Sequence, residues 1–257
     1  GISGLELFRE SNQILDDLPN DQPFFAFIQT AGNHRPFTIP EKNGDFEVRD
    51  MPEEELREHG FRNPAQYNAV RLLDYNVGEY MKMARASDYF DNTIFVFFGD
   101  HNNRITTIPH MPPAMEKLGL ESNHVPHMIY APAYLKPRVI EQSMGLTDVM
   151  PTIAGMLGLT YRNTTLGRDI QSPAPEGDRA SFVVMQEGPR PVYGALTKDY
   201  FVRMNHDGSN ATLHDLHSDD PETDHAEQHP DVFEKLYDLA RGQYETARYM
   251  FYDNVDK

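Results

Sequence analysis

NTIFVFFGDHNNRI, residues 92–105, sets a run of apolar side chains, 94–98, directly before Gly99, Asp100 and His101. An unbroken apolar run of this length predicts a buried strand. Gly99 makes a bend cheap where the run stops, and a carboxylate beside an imidazole follows at once. In open α/β sheets, ligands gather beyond the carboxyl ends of the strands. A carboxylate oxygen and an imidazole nitrogen both bind divalent ions. The pair therefore has two readings: half of a metal site, or a cap that closes a turn. Spacing does not choose between them.

The neighbouring segments predict the rest of the scaffold. Residues 4–16 have a helical apolar pattern at Leu5, Phe8 and Ile14. Residues 24–28 (FFAFI) predict a second buried strand, and 31–62 a long loop rich in Pro, Gly and charge. From Asn63, with Pro64 in a favourable starting position, apolar residues recur every three or four positions and predict an amphipathic helix to about Ser87. A strand is expected at 128–131. A helix capped by Thr147 or Asp148 should run to Leu157 and stop at Gly158. Further strands are expected at 182–185, 193–196, 200–204 and 211–216, with a turn at Asp207 and Gly208. A final helix should run from Asp231 to about Tyr249. Alternating strands and helices argue an α/β fold with a mostly parallel central sheet flanked by helices. A small antiparallel hairpin region and a terminal helix follow it. Residues 1–190 are expected to form the main body and 191–257 a C-terminal subregion of the same domain.

Composition limits the function. A net charge of -17 repels phosphate backbones and anionic headgroups and argues against nucleic acid as a partner. An anionic substrate would need a local positive centre. There is no cysteine, which excludes disulfides and thiolate metal sites. No apolar run reaches the roughly 18 residues of a membrane span. The first residue is Gly1 rather than Met, so the chain is expected to be part of a longer protein.

Among the 11 histidines, His34, His101, His110, His124 and His127 are the candidates of interest. His34 follows the 24–28 run, and His124 precedes the strand at 128. His206, His214, His217, His225 and His229 fall in a charged, turn-rich region and are read as solvated surface. Arg35 and Arg104 are the basic residues nearest the candidate edge, each either an anion clamp or a surface ion pair.

Several stretches, in order, resemble one family. TIFVFFGDHNNRI is similar to the metal-binding strand end of the alkaline phosphatase superfamily. QPFFAFIQTAGNHRPFTIP resembles the "PFF…T…NH.P" stretch of lipoteichoic acid synthase-type phosphoglycerol transferases of the sulfatase group. NHVPHMIYAP, LTDVMPTIAGMLGL, TLGRDI and LHDLHSDDPETDHA resemble the later stretches of the same family.

The resemblance implies roles for these positions. Asp100 and His101 would be two ligands of one divalent cation (Mn, Mg, Zn or Ca). His34 would bind the substrate's phosphate or headgroup. His124 matches a position that contacts substrate or a second metal, and Arg104 stays a tentative site residue. Where two-metal members carry an Asp four residues before His34, this chain has Thr30, which suits a one-metal site. The nucleophile, Thr or a modified Cys, and a metal-binding Glu would lie in an N-terminal half of the catalytic domain, and membrane helices further upstream. The implied activity is phosphoglycerol transfer from a glycerophospholipid headgroup, at the outer face of a bacterial inner membrane. Sulfate- or phosphate-ester hydrolysis and phosphoethanolamine transfer are the alternatives, and a binding domain with a structural Asp-His pair is the non-enzymatic one.

Overall fold

The computed structural model describes residues 2–19, 21–102, 110–173, 179–185 and 188–253. The chain divides into two compact units: Gly1–His110 with Val125–Pro137, and Met111–His124 with Arg138–Lys257.

In the first unit, α1 (Gly4–Asp16) starts where the Ser3 hydroxyl accepts a hydrogen bond from the Glu6 amide at 3.1 Å. A short helix, α2 (Glu53–Glu58), interrupts the long loop; six residues are too few for periodicity to reveal. The long helix α3 (Pro64–Arg85) begins at Asn63, whose side chain accepts from the Gln66 amide at 2.9 Å. It packs on α1 through Phe8 and Tyr80, with ring centroids 5.0 Å apart. Strand β1 (Phe95–Phe98) pairs antiparallel with β2 (His127–Tyr130), Phe95 opposite Tyr130 and Phe98 opposite His127. Phe95 and Phe97 turn towards the α1–α3 layer and complete a core with Phe8, Tyr80, Met81 and Ala84.

In the second unit, α4 (Pro113–Lys117) precedes a four-stranded meander: β3 (Ser181–Val184), β4 (Val192–Leu196), β5 (Tyr200–Asn205) and β6 (Thr212–Asp215). Each strand pairs antiparallel with the next. The helix α6 (Pro230–Arg248) covers one face, burying Tyr193, Ala195, Val202, Met204 and Leu213 against Leu236 and Ala240. Val183 and Phe201 on the other face meet Ala114, Leu118 and Leu120. The β5–β6 turn uses Gly208 at φ +83°, a conformation that favours glycine.

The helix α5 (Val149–Met156) is joined to the later GRDI stretch by one buried carboxylate. Asp148 Oδ2 accepts from the Gly145 amide and Oδ1 from the Arg168 amide, both at 2.9 Å. The Thr152 hydroxyl donates to the Asp148 carbonyl at 2.7 Å and accepts from the Ile170 amide at 3.2 Å. Gly167 passes so close that an added Cβ would stand 1.8 Å from the Thr147 carbonyl oxygen.

Three expectations need correction. The mostly parallel central sheet is not seen: among the described residues both sheets are antiparallel. Helices between strands suggest parallel pairing, but periodicity is local and does not say which strands become neighbours. Residues 24–28 are not a buried strand; Phe25 and Phe27 are 69% and 66% exposed, and among the described residues no backbone hydrogen bond involves 24–30. Finally, His214 is not solvated surface but 1% exposed, because both faces of β6 are covered. Its Nδ1 meets the Pro221 carbonyl at 2.8 Å and its Nε2 the Thr212 hydroxyl at 2.9 Å. Burial holds its pKa below the ordinary histidine value.

Candidate functional site

The site is built where β1 ends. The Gly99 amide donates to the Pro126 carbonyl at 3.1 Å, continuing the β1–β2 ladder by one step. Gly99 is not needed for a left-handed bend, since its φ is not positive. It is needed for closeness: a Cβ there would lie 3.0 Å from Val125 Cβ and 3.2 Å from its Cγ1. The strands can therefore stay paired up to the residue before Asp100.

Beyond Gly99 the chain turns, and the His101 amide donates to Asp100 Oδ1 at 2.9 Å. That contact is the local cap foreseen as the alternative reading. It leaves Oδ2 free to face the ring, with His101 Nε2 at 3.9 Å. Both side chains are mostly exposed, at 60% for His101 and 70% for Asp100. His101 Nδ1 lies 3.3 Å from the Asn102 carbonyl. A carbonyl only accepts, so this contact puts the ring proton on Nδ1 and leaves a lone pair on Nε2. A second partner of this kind is how metal-ligating imidazoles are usually oriented.

This donor pair suits a divalent cation in chemistry. With bonds of about 2.0–2.2 Å, neighbouring ligands of a tetrahedral ion stand about 3.4 Å apart, so the 3.9 Å between Oδ2 and Nε2 would have to close before both held one ion. Two donors are an incomplete set. Among the described residues no group of three or more His, Asp or Glu side chains is placed to hold an ion.

His34 stands in the same unit, exposed, on a tight loop. Its amide donates to the Ala31 carbonyl at 3.1 Å, and the Phe37 amide donates to the His34 carbonyl at 2.9 Å. The Arg35–Pro36 peptide bond is cis. His34 Nδ1 lies 2.8 Å from the Arg35 carbonyl, so its Nε2, like that of His101, is the free nitrogen. The segments leading to His34 and Asp100 meet at Phe27 and Phe98, whose ring centroids are 6.4 Å apart.

His124 is exposed and belongs to the second unit, as the residue before Val125. Arg104 lies outside the described residues. The sequence reading missed the two main-chain acceptors that orient the rings, the carbonyls of Arg35 and Asn102. No residue type announces them, because every residue carries a carbonyl. It also left His127 without a role. His127 faces Phe98 across the ladder, its Nε2 is buried without a partner among the described residues, and burial lowers its pKa.

In the first unit an antiparallel strand pair packed on helices ends in the Asp-His couple. The sulfatase family model matches residues 3–159, more than half of the chain, and the chain belongs to that family of enzymes. The chain is 28% identical to the lipoteichoic acid synthase-like YvgJ of Bacillus subtilis over 217 residues, covering 80% of this chain and 32% of that protein. It is 25% identical to the lipoteichoic acid synthase of Staphylococcus saprophyticus over an alignment of 271 positions, covering all of this chain and 37% of that protein. Among solved structures, the lipoteichoic acid synthase LtaP of Listeria monocytogenes superposes with a TM-score of 0.72 at 21% identity, over 96% of this chain and 59% of that one. An alkaline phosphatase superfamily protein from Vibrio parahaemolyticus gives 0.68 at 25% identity, over 97% and 56%. The chain thus spans about a third of the curated relatives.

Proposed function

We propose that this chain is the C-terminal portion of a metal-dependent phosphoglycerol transferase, whose nucleophile lies outside it. The observation that carries the reading is the free face of the Asp100–His101 couple, Oδ2 towards Nε2 with Nδ1 tied to a carbonyl. Relatedness to lipoteichoic acid synthases over most of the chain favours a phosphodiester over a sulfate ester as substrate.

Asp100 and His101 would hold the cation, one of Mn, Mg, Zn or Ca, together with ligands from the N-terminal half. Such an ion supplies Lewis-acid neutralisation of charge on a phosphoryl oxygen. It is also the positive centre that a chain of net charge -17 needs before it can hold an anion. The nucleophile's oxygen would form a bond to phosphorus as the bond from phosphorus to the diacylglycerol oxygen breaks, so that diacylglycerol departs and phosphoglycerol stays on the nucleophile. His34, protonated at Nε2, gives its proton to that departing oxygen, and its Nδ1–H stays on the Arg35 carbonyl. An acceptor hydroxyl then takes the phosphoglycerol group and releases the nucleophile. His124 and Arg104 remain candidates for substrate contact. The partners in this reading are a glycerophospholipid headgroup, the N-terminal half and the membrane helices of the full-length protein. Its place is the extracytoplasmic face of a bacterial inner membrane. Among the described residues no helix is long and apolar enough to cross a membrane, so any anchor in this reading lies elsewhere in the protein.

Calorimetric titration of the full-length protein with Mn²⁺, paired with turnover on a fluorescent phosphatidylglycerol, tests the site. Asp100→Ala should abolish stoichiometric binding and lower turnover at least about 100-fold. Tight binding and full turnover in that variant would refute the assignment. A sulfatase is the second reading, favoured by the family model that matches. Turnover of an aryl sulfate ester without turnover of the lipid would decide for it.

A further inference from the structure

We infer that residues 216–229, between β6 and α6, are a strap that covers the open edge of the second unit's sheet, with the imidazole of His214 as its acid-sensitive latch.

β6 is the last strand of the meander, so one side of its backbone has no strand partner. An uncovered edge is a template for pairing with another chain, and natural proteins cover such edges. Here the strap covers it. The His225 amide donates to the Leu213 carbonyl at 2.8 Å, and the Leu213 amide donates to Asp224 Oδ1 at 3.0 Å. The same oxygen takes the Ala226 amide at 3.0 Å, so one carboxylate serves both strand and strap. Elsewhere the strap bonds to itself: the Thr223 amide to the Asp220 carbonyl, and the Gln228 and His229 amides to the His225 carbonyl. Leu216 and Ala226 reach core clusters, but the large side chains of those cores come from the strands and from α6. A segment held this way can lift at a lower cost than unfolding the unit.

His214 is what ties the strap down from within. Opposite Phe201 in the ladder, with ring centroids 6.3 Å apart, its ring is buried and its Nδ1 lies 2.8 Å from the carbonyl of Pro221, itself fully buried. A carbonyl only accepts, so the proton sits on Nδ1 and Nε2 takes the Thr212 hydroxyl. Both nitrogens are thus satisfied while the ring is neutral. Charging it puts a cation into a closed space. Arg203 on β5 and His225 on the strap oppose that charge; Asp224 favours it but already serves two amides. From α4, Lys117 reaches Asp220 of the strap at 3.7 Å and adds no acceptor. Burial is the largest effect and holds the ring's pKa below the ordinary value. His225 adds a second reason to open, because its Nε2 is buried without a partner among the described residues and meets water once the strap lifts. One contact acts in the other direction: His217 Nε2 lies 3.0 Å from Asp199 Oδ1, an ion pair only when that ring is protonated. Both of those side chains are exposed, so solvent weakens it.

The sign follows from linkage. With the strap lifted, His214 ionises near about 6.5; with the strap closed, lower. The open form therefore binds the extra proton. Each pH unit below about 6.5 favours opening by up to about tenfold, until the closed-state value is passed.

Hydrogen exchange by mass spectrometry on the full-length protein, at pH 7.5 and 5.5 and corrected for intrinsic rates, tests this. The amides of Leu213 and His225 should exchange about three- to tenfold faster at pH 5.5, while those of the β4–β5 ladder and α6 stay unchanged. His214→Gln should remove the pH dependence, and His217→Gln should keep it. No rise at His225, an equal rise across the β4–β5 ladder and α6, or an undiminished pH dependence in His214→Gln would each overturn the inference. Should that variant fail to fold, the native protein still decides. A glutamyl endopeptidase should cut after Glu222 and Glu227 faster at pH 5.5 than at pH 7.5, relative to a free peptide of residues 216–229, and spare Glu234 and Glu245 in α6. Equal relative rates at the two pH values would overturn the strap. Neither readout needs metal or turnover, so the inference stands or falls apart from the proposed transferase activity.

Discussion

Replacing Asp148 by Asn changes one heavy atom and should be felt across the second unit. The carboxylate takes two backbone amides at 2.9 Å, from Gly145 and Arg168, and is 5% exposed. Hydrogen bonds to a charged acceptor contribute about 1.5–3 kcal/mol each. An amide keeps one oxygen and turns an NH₂ group towards the other N–H donor. One bond is lost, the other is weakened by loss of charge, and a donor is left facing a donor. The expected cost is about 2–4 kcal/mol. Asp148→Ala removes both acceptors and should cost about 3–6 kcal/mol. Thr152 shares the network, so Asp148→Asn combined with Thr152→Val should fall short of the sum of the single effects. The chain has no tryptophan, so urea unfolding is best followed by far-ultraviolet circular dichroism. A loss below about 0.5 kcal/mol for Asp148→Asn would show that the carboxylate does not hold the GRDI stretch to α5.

Tyr193 is fully buried and stacked on Tyr244 at 4.2 Å, and its hydroxyl has no partner among the described residues. Burial pushes its pKa up to about 12. An unfolded tyrosine ionises near about 10, so this group's contribution is whole below that pH and is lost between about 10 and 12. Tyr193→Phe should be neutral or up to about 1 kcal/mol stabilising at pH 7, and should flatten the alkaline decline in thermal melts; a loss above about 1.5 kcal/mol at pH 7 would expose a missed partner. His214 has a pKa lowered chiefly by burial. Its contribution is present above pH about 6.5 and is lost as pH falls towards the folded value, because the unfolded chain then binds the extra proton. His214→Gln should weaken the acid dependence between pH 7 and 5, and an unchanged slope would mean that other groups set it.

The long elements were legible because their signals are local. The α3 helix carries its cap at Asn63, its Pro64 start and its apolar stripe in the sequence itself. The later strands and the Asp207-Gly208 turn were readable, but as a hairpin region, not as one four-stranded meander. The sheet direction was not, because strand pairing joins residues far apart in sequence, as when Phe95 meets Tyr130. Residues 24–28 show the converse limit: their propensity for a strand is real, but a strand needs a neighbour. At the candidate site, Asp100, His101 and His34 were visible as residue types. Gly99 was noticed for the bend it makes cheap, and the close approach of Val125 that also requires it was not legible. His214 was misread because a histidine among acidic turn residues looks wet until both faces of β6 are known to be covered.

Both site imidazoles are steered by main-chain oxygens, His34 by Arg35 and His101 by Asn102. Such an acceptor survives every point mutation, since exchanging the side chain at position 35 or 102 leaves the carbonyl in place. Mutagenic screens should therefore register the donors and pass silently over what aims them, and drift at these two neighbours is tolerable so long as the backbone path holds.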